Sequence, residues 1–277
     1  MEHRHFVCGC LLVVAGSFAC AQSVQPKFLF TPGSTARYGL NLHHVISINN
    51  YDPDSTRSGT VERPTELKVA VQDVTDAGGM MKIQLDDQPD WLGKLTSSVA
   101  SSSASYRLNG RGFFPLPDEV TISGLQPGDA NAEMVHGFWA EEVVYLSIML
   151  PDHAVAPGDS WNVQVPMKEI GGILKSLGDG LIYADARATV VAIRTVDGER
   201  CLEANISFAP NTSLQIANMK ISSDISNASG KFLFSLDRGN LVSYSASLHV
   251  ETKTTLDDKL QQLVKTDFSF DLKRLGN

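Results

Sequence analysis

The sequence predicts a protein dominated by β-structure, with two tandem antiparallel β repeats, as curved sheets or barrel-like units, joined by one connecting helix. Three observations support this prediction. Alternating apolar and polar residues recur along the 277 residues, separated by short turn signals. A Pro-Gly turn that leads into a strand-like stretch occurs twice, at 32–42 and at 157–165. A single long stretch, 129–150, lacks proline and is rich in helix-forming residues.

The first predicted repeat covers residues 22–128. Pro32-Gly33 turns the chain into a strand over 38–48. A polar loop is expected over 49–65, where turn-forming residues cluster. Residues 66–85 alternate at period two on both sides of a glycine-containing turn, which predicts a β-hairpin.

The connecting helix is predicted over 129–150, and the second repeat over 151–277. The second repeat opens with the turn Pro157-Gly158-Asp159-Ser160-Trp161 and a strand behind it. Asp197-Gly198 lies between two strand-like stretches and is a strong hairpin signal. Residues 263–272 are expected to form the last strand.

Matching features in the two halves predict an internal duplication. The Pro-Gly turns stand 125 residues apart, and the hairpin strand 67–74 matches 186–193. A Gly-containing aromatic stretch at 110–114 matches 230–234. Because a strand-rich unit exposes an apolar face, each copy would cover the apolar face of the other.

The first 21 residues have the pattern of a secretory signal peptide, 1–21. Arg4 supplies the positive end. The apolar run 6–15 is too short to span a bilayer, which needs about 20 residues. The small residues of 19–21 place cleavage before Gln22. No later apolar run is long enough to cross a membrane, so the mature chain is expected to have no transmembrane span.

Lipid attachment at Cys20 is the alternative to simple cleavage. A lipid-attachment signal has an aliphatic residue three positions before the cysteine and a small one two positions before. Ser17 and Phe18 occupy those positions and fit poorly. The sequence therefore predicts a secreted or periplasmic protein, with lipid anchoring to the cell envelope as the alternative.

Charge and cysteine content restrict the partners and the chemistry. The net charge of −8 without a basic cluster argues against nucleic acid and anionic membrane surfaces. After signal cleavage Cys201 is the only cysteine left, so no intrachain disulfide can form. Its position at the start of a predicted strand indicates a buried, unreactive thiol.

Short motifs give the chain one family resemblance. The turn 157–161 follows Leu150-Pro151, and a Gly-x-Phe strand from Gly230 ends in Asp237-Arg238-Gly239. This arrangement resembles a group of uncharacterised secreted bacterial proteins that share a domain of unknown function, often with lipoprotein signals. The resemblance covers residues 28 to the end. It implies an exported β-rich protein and supplies no catalytic residue.

Gly158-Asp159-Ser160 is similar to the nucleophile block of Gly-Asp-Ser lipases and esterases. That chemistry needs a base to take the serine proton. The late Asp-x-x-His of that family is missing, and the only late histidine, His249, lies in a predicted strand. We therefore interpret the motif as a structural turn that places the ring of Trp161 in the core.

No other motif designates a catalytic, cofactor-binding or metal-binding residue, and no cofactor is predicted. His43 and His44 are adjacent on a predicted strand, so their side chains point to opposite faces and cannot readily share an ion. The acidic stretch 86–90 lacks the glycine and the terminal Glu of a calcium loop.

These observations favour an exported, non-enzymatic envelope protein that binds a partner or ligand on a β surface. The first alternative is a carrier of a hydrophobic ligand, held in a cavity between sheets. The second is a serine hydrolase that uses Ser160. The expected partner is an unknown protein or a hydrophobic ligand, and not nucleic acid.

Overall fold

The computed structural model describes six stretches of the chain. The expected signal peptide, 1–21, lies outside them. Strands make up 63% of the structure. No helix in the described stretches combines the length and the apolarity needed to cross a bilayer. The described residues are 23–51, 54–112, 120–125, 128–167, 182–216 and 219–276.

Within these residues the first half contributes five strands and the helical segments. The strands are β1 (Thr35–Tyr51), β2 (Asp54–Thr75), β3 (Gly78–Leu85), β4 (Ser103–Leu108) and β5 (Thr121–Ser123). The helical segments are a 3₁₀ segment (Asp90–Leu95), α1 (Thr96–Ala100) and the connecting helix α2 (Ala132–Val144).

The second half contributes seven strands within the same described residues. They are β6 (Ser160–Met167), β7 (Ile182–Val196), β8 (Glu199–Phe208), β9 (Asn211–Ile216), β10 (Met219–Ser235), β11 (Asn240–Leu256) and β12 (Lys259–Arg274).

All of these strands belong to one antiparallel sheet. Its order is β5-β4-β3-β2-β1-β12-β11-β10-β8-β7-β6, and β9 pairs with β10 beside this path. Each half is therefore a meander of neighbouring strands, and the pairing of β1 with β12 joins the two halves. The predicted fold class, antiparallel and dominated by β-structure, is confirmed. The two halves share one sheet and do not form two separate ones.

The prediction of a polar loop over 49–65 was wrong, because that stretch is the outer part of a long hairpin. β1 and β2 stay paired as far as Tyr51 and Asp54. Polar side chains across the pair bond one another, for example Asn50 Nδ2 to Ser55 Oγ at 3.0 Å. Cross-strand pairs of this kind offset the weak strand preference of asparagine and serine.

The helix predicted over 129–150 is present but shorter. α2 ends at Val144, and a turn over 145–146 leads to an irregular stretch that ends at Leu150, whose N–H donates to the Arg111 carbonyl at 2.7 Å. Ile148 and Leu150 are fully buried. The burial of these apolar side chains in the core stabilises the non-helical stretch.

The core lies on one face of the sheet, here called the inner face, and α2 packs against it. Trp139 of α2 is fully buried, and its ring N–H donates to Ser102 Oγ at 2.8 Å. Tyr145, just after α2, lies 4.8 Å from the ring of Phe270 on β12. The helix and the residue that follows it therefore contact both halves, which fits their place between the halves in the chain.

The two Pro-Gly turns are held by the same backbone hydrogen bonds. The N–H of Gly33 donates to the carbonyl of Val71 at 2.9 Å, and the N–H of Gly158 donates to that of Val190 at 2.9 Å. Val71 and Val190 are the corresponding residues of the predicted repeat.

The hairpins carry the same irregularity as well. The β2–β3 pairing shifts register between Val71 and Asp73, and the β7–β8 pairing shifts between Val190 and Ala192. A β-bulge at the same place in both hairpins bends the two meanders in the same way. Turn, strand pairing and bulge are therefore shared by the two halves.

The predicted match of 110–114 with 230–234 was wrong by six residues for 110–112, and 113–114 lie outside the described residues. Met81 and Ala204 correspond, because they are the partners of Val71 and Val190. Met81 pairs in turn with Tyr106 on β4, and Ala204 pairs with Phe232 on β10. Gly230 therefore corresponds to Ala104, and Gly110 lies in a turn beyond β4. The glycine-aromatic texture was shared, but the register could not be read from it.

Candidate ligand-binding cavity

A cavity of about 360 Å³ lies at the end of the inner face near the first Pro-Gly turn. This volume is at the small end of ligand pockets, which span roughly 300–1,000 Å³. One wall is the strap, defined as residues 23–31 before β1. The opposite walls are strands β1 to β4 and the β10–β11 turn. The inward-facing lining includes Ala36, Tyr38, Val69, Met81, Tyr106 and Leu108.

Strand alternation places these apolar side chains on the inner face, because every second residue of a strand points the same way. Tyr38 and Tyr106 are almost completely buried. Burial raises the pKa of Tyr38 to about 12, although the nearby charge of Arg274 acts in the opposite direction. Burial also raises the pKa of Tyr106. Both phenols therefore stay neutral. The inward-facing wall of the cavity carries no charge, whereas Asp237 and Arg238 bring charge to its rim.

The cavity exists where the first half has a smaller residue than the second. Ala36 pairs with Val69, and at the corresponding place Trp161 pairs with Ala188. Trp161 is 9% exposed and packs against the ring of Phe232 at 6.1 Å. Its indole fills the inner face of the second half. Ala36 leaves the corresponding space open.

The strap is fixed to both halves by backbone hydrogen bonds. Val24 forms a β-bridge with Val155, ahead of β6. The N–H of Phe28 donates to the carbonyl of Gly110 at 2.8 Å, and the N–H of Leu29 donates to that of Gly239 at 3.0 Å. The strap therefore crosses the end of the molecule and closes the cavity on that side.

Three glycines make room for successive strap residues. A Cβ atom on Gly79 would lie 2.5 Å from the ring of Phe30, and one on Gly112 would lie 2.7 Å from the ring of Phe28. A Cβ on Gly239 would collide with Leu29. Contacts this close are possible only without a side chain. The strap thus packs directly against the backbone of β3 and of two connecting segments.

Charged residues surround the mouth of the cavity beside the β10–β11 turn. Arg274 donates to both carboxylate oxygens of Glu199 at 2.7 and 2.8 Å, and to Asn240 Oδ1 at 2.7 Å. Arg238 Nε lies 2.8 Å from the same carboxylate. Burial tends to raise the pKa of Glu199, but its bonds to Arg274 and Ser235 and the charges of both arginines hold it below its ordinary value.

The Gly-Asp-Ser motif is a turn, as the sequence indicated. Asp159 Oδ2 accepts the N–H of Ala156 at 2.8 Å, and the ring N–H of Trp161 donates to the Met149 carbonyl at 2.8 Å. Arg187 Nε donates to Ser160 Oγ at 2.7 Å. A guanidinium stays protonated and cannot take the serine proton, so this contact does not activate Ser160.

The other singled-out residues lie away from the cavity. His43 is half-buried on the outer face, and His44 is buried on the inner face beside Phe268, so the adjacent histidines do point apart. Cys201 is fully buried, and burial raises the pKa of its thiol. Among the described residues, no group of three or more His, Cys, Asp or Glu is placed to hold a metal ion.

A buried ionic cluster joins β2 to α2. The two terminal nitrogens of Arg63 donate to Glu141 at 2.6 Å and to Glu142 at 2.7 Å, and Glu142 is fully buried. The guanidinium also lies 4.6 Å from the ring centre of Trp91. Burial lowers the pKa of Arg63, but the two carboxylates outweigh it and raise the pKa above its ordinary value. The cluster holds the helix on the sheet.

A wider groove of about 810 Å³ crosses the outer face over six neighbouring strands. Outward-facing Asn41, Ser245, Ser247 and Ser269 give it small polar walls. It is bounded by strands of one face only. The cavity under the strap has walls on opposite sides, the strap and the inward-facing side chains of β1 to β4, so it is the better candidate for a binding site.

Sequence reasoning missed the cavity and its mouth. Asp237-Arg238-Gly239 was identified as the end of a predicted strand, and nothing in it indicated a contact with the strap or with Glu199. The available signal was the unequal pair of residues after the two Pro-Gly turns, Ala36 and Trp161. Placing them at corresponding positions would have predicted an unfilled space in the first half.

Comparisons with known proteins give no relative from which a function could be transferred. No known protein family matches the chain, and no curated protein matches it significantly. Structural similarity is reported to OmpT, an outer membrane protein of Vibrio cholerae. Its loop L8 deletion mutant is 8% identical with a TM-score of 0.17, covering 87% of this chain and 100% of that chain. The in-vitro folded trimer form is 11% identical with a TM-score of 0.15, covering 88% and 100%. TM-scores this low carry no argument.

Proposed function

We propose that this protein is an exported, non-enzymatic binding protein that carries a small hydrophobic molecule in the cavity under the strap. The observation that supports the proposal is the space between the strap and the inward-facing apolar side chains beside Ala36, at the position that Trp161 fills in the other half. Concave sites with apolar side chains on the inner wall and a few polar groups at the mouth are typical of small-molecule binding.

Export is part of the proposal and rests on the sequence. The signal-like segment 1–21 and the resemblance to secreted bacterial proteins support a secreted or periplasmic location. Lipid attachment at Cys20 would place the same fold on the cell envelope. Mass spectrometry of the mature N-terminus distinguishes the two, because cleavage before Gln22 leaves an unmodified chain and lipidation leaves an acylated cysteine.

The binding function can be tested with N-phenyl-1-naphthylamine, a neutral probe whose fluorescence rises in apolar surroundings. The purified protein should bind the probe, and Ala36→Trp should weaken binding at least about tenfold because the indole fills the cavity. Val74→Trp is the matched control, since Val74 is exposed on β2.

Each variant should first be compared with the parent in thermal unfolding, so that loss of binding is not confused with loss of the fold. A parent protein that does not bind the probe would contradict the proposal. So would equal probe affinity of the parent and a folded Ala36→Trp variant.

A further inference from the structure

The mouth of the cavity holds an arginine whose terminal nitrogens are uncommitted. Arg238 lines the cavity, and its side chain is 52% exposed. Its Nε pairs with Glu199, while neither terminal nitrogen has a hydrogen bond or ion pair to the residues that the structure describes. A guanidinium offers five N–H donors in a planar fork that matches a carboxylate or a phosphate.

The neighbouring charges are already engaged with protein groups. Arg274 is occupied by Glu199 and Asn240. Asp237, the acidic residue beside Arg238, accepts the N–H of Arg200 at 2.6 Å. Glu199 accepts from both arginines. Arg238 is therefore the cationic group at this mouth that can bind an anion without first losing its present contact.

We propose that the ligand is an amphiphilic anion, with an apolar tail in the cavity and a carboxylate or phosphate on the terminal nitrogens of Arg238. This inference rests on the proposed binding function. The apolar tail and the anionic headgroup of such a ligand match the two surfaces that meet here. Tyr38, Val69 and Leu108 form the apolar wall, and Arg238 stands at the opening.

The chemistry of the contact explains why the anion would not bind deeper. Burying a charge among apolar side chains is costly unless it is paired. At the half-exposed mouth the headgroup keeps part of its water and gains charge-assisted hydrogen bonds. A neutral alcohol with the same tail would gain the apolar contact alone.

Displacement of N-phenyl-1-naphthylamine by three ligands of equal chain length tests the inference. Decanoate should displace the probe at about tenfold lower concentration than decanol, roughly the effect of one charge-assisted hydrogen bond at a partly exposed site. Decyltrimethylammonium should bind more weakly than decanol. Decyl phosphate should behave like decanoate if the site recognises anions in general.

Arg238→Gln should remove the advantage of decanoate over decanol, measured as the ratio of the two displacing concentrations within the variant. Arg238→Lys should keep part of the advantage. Arg107→Gln is the control, because Arg107 is exposed on β4 and does not line the cavity. Raising the salt concentration should weaken decanoate binding more than decanol binding.

The outcomes separate this inference from the function on which it rests. No binding of the neutral probe would overturn the proposed function, and this inference with it. Probe binding with equal affinities for decanoate and decanol would overturn the anion preference alone. An advantage of decanoate that survives in Arg238→Gln would also overturn it, since the preference would then come from another group.

Discussion

The two halves of the molecule share a backbone plan and differ in how they fill their inner face. In both halves a Pro-Gly turn bonds to the first strand of a bulged hairpin, at Val71 and at Val190. Ala36 follows the first turn, and Trp161 follows the second. Equal backbones with unequal side chains leave a space beside Ala36 and fill the corresponding place in the second half with the indole of Trp161.

The halves also end differently. β11 is followed by β12, which pairs with β1. β5 is followed by α2, which packs on the inner face instead of extending the sheet. A polar contact of Arg63 on β2 with Glu141 and Glu142 joins this helix to the sheet.

The largest effect is expected from breaking that contact, which belongs to the first half. Arg63→Leu leaves the buried carboxylate of Glu142 without its cation. Removing one partner of a buried ion pair costs about 3–5 kcal/mol. Urea unfolding followed by circular dichroism should show this loss of unfolding free energy.

The double variant Arg63→Leu with Glu142→Leu is the control for the first prediction. It removes the stranded charge and should recover part of the lost stability. If Arg63→Leu alone were as stable as the parent, the cluster would not hold α2 on the sheet.

Trp161→Ala tests whether the side chain explains the difference between the halves. Truncating a buried tryptophan costs about 3–5 kcal/mol, and about 3 kcal/mol is expected here because β6 is an edge strand. Urea unfolding measures the loss. The variant should also bind a second equivalent of N-phenyl-1-naphthylamine, because the second half would then have the space that the first half has.

A Trp161→Ala variant as stable as the parent would place the indole outside the core. A variant that is destabilised but binds no additional probe would mean that the second half collapses around the missing ring. In that case the cavity in the first half depends on more than Ala36.

Gly79→Ala tests the packing of the strap, which contacts glycines mainly in the first half. The new Cβ would lie 2.5 Å from the ring of Phe30, so the strap must shift. Overpacking of this kind costs about 1–3 kcal/mol. Hydrogen exchange at the Phe28 and Leu29 amides should become faster, and the probe should dissociate faster. Gly59→Ala is the control, since a Cβ at Gly59 meets nothing within 4 Å.

The sequence predicted the backbone plan better than the site. Turn residues and period-two alternation are local signals, so the meanders, the hairpin at Asp197-Gly198 and the helix between the halves could be predicted from them. The pairing of β1 with β12 and the contact of Phe30 with Gly79 join residues far apart in the chain. No local pattern records such contacts.

The strand structure of 49–65 was also missed, because asparagine and serine are typical of loops. They acquire strand structure here through cross-strand pairs.

The smallest effect is expected at the hairpin turns, where the halves differ in charge. The β7–β8 turn leads into Glu199, which Arg274 and Arg238 bind at the cavity mouth. At the corresponding β2–β3 turn the described residues form no ion pair, and Arg107 donates to Thr75 Oγ1 at 3.3 Å. Because the folded-state pKa of Glu199 lies below its unfolded value, its contribution to stability is present above the unfolded pKa and is lost as the pH falls through the folded pKa.

The parent protein should therefore lose stability on acidification below about pH 4.5, and Glu199→Gln should lose less over the same interval. Thermal unfolding at a series of pH values measures both losses. Identical pH profiles for the two proteins would mean that the arginines at the mouth gain nothing from this carboxylate, and that the second half owes its stability to its packed core alone.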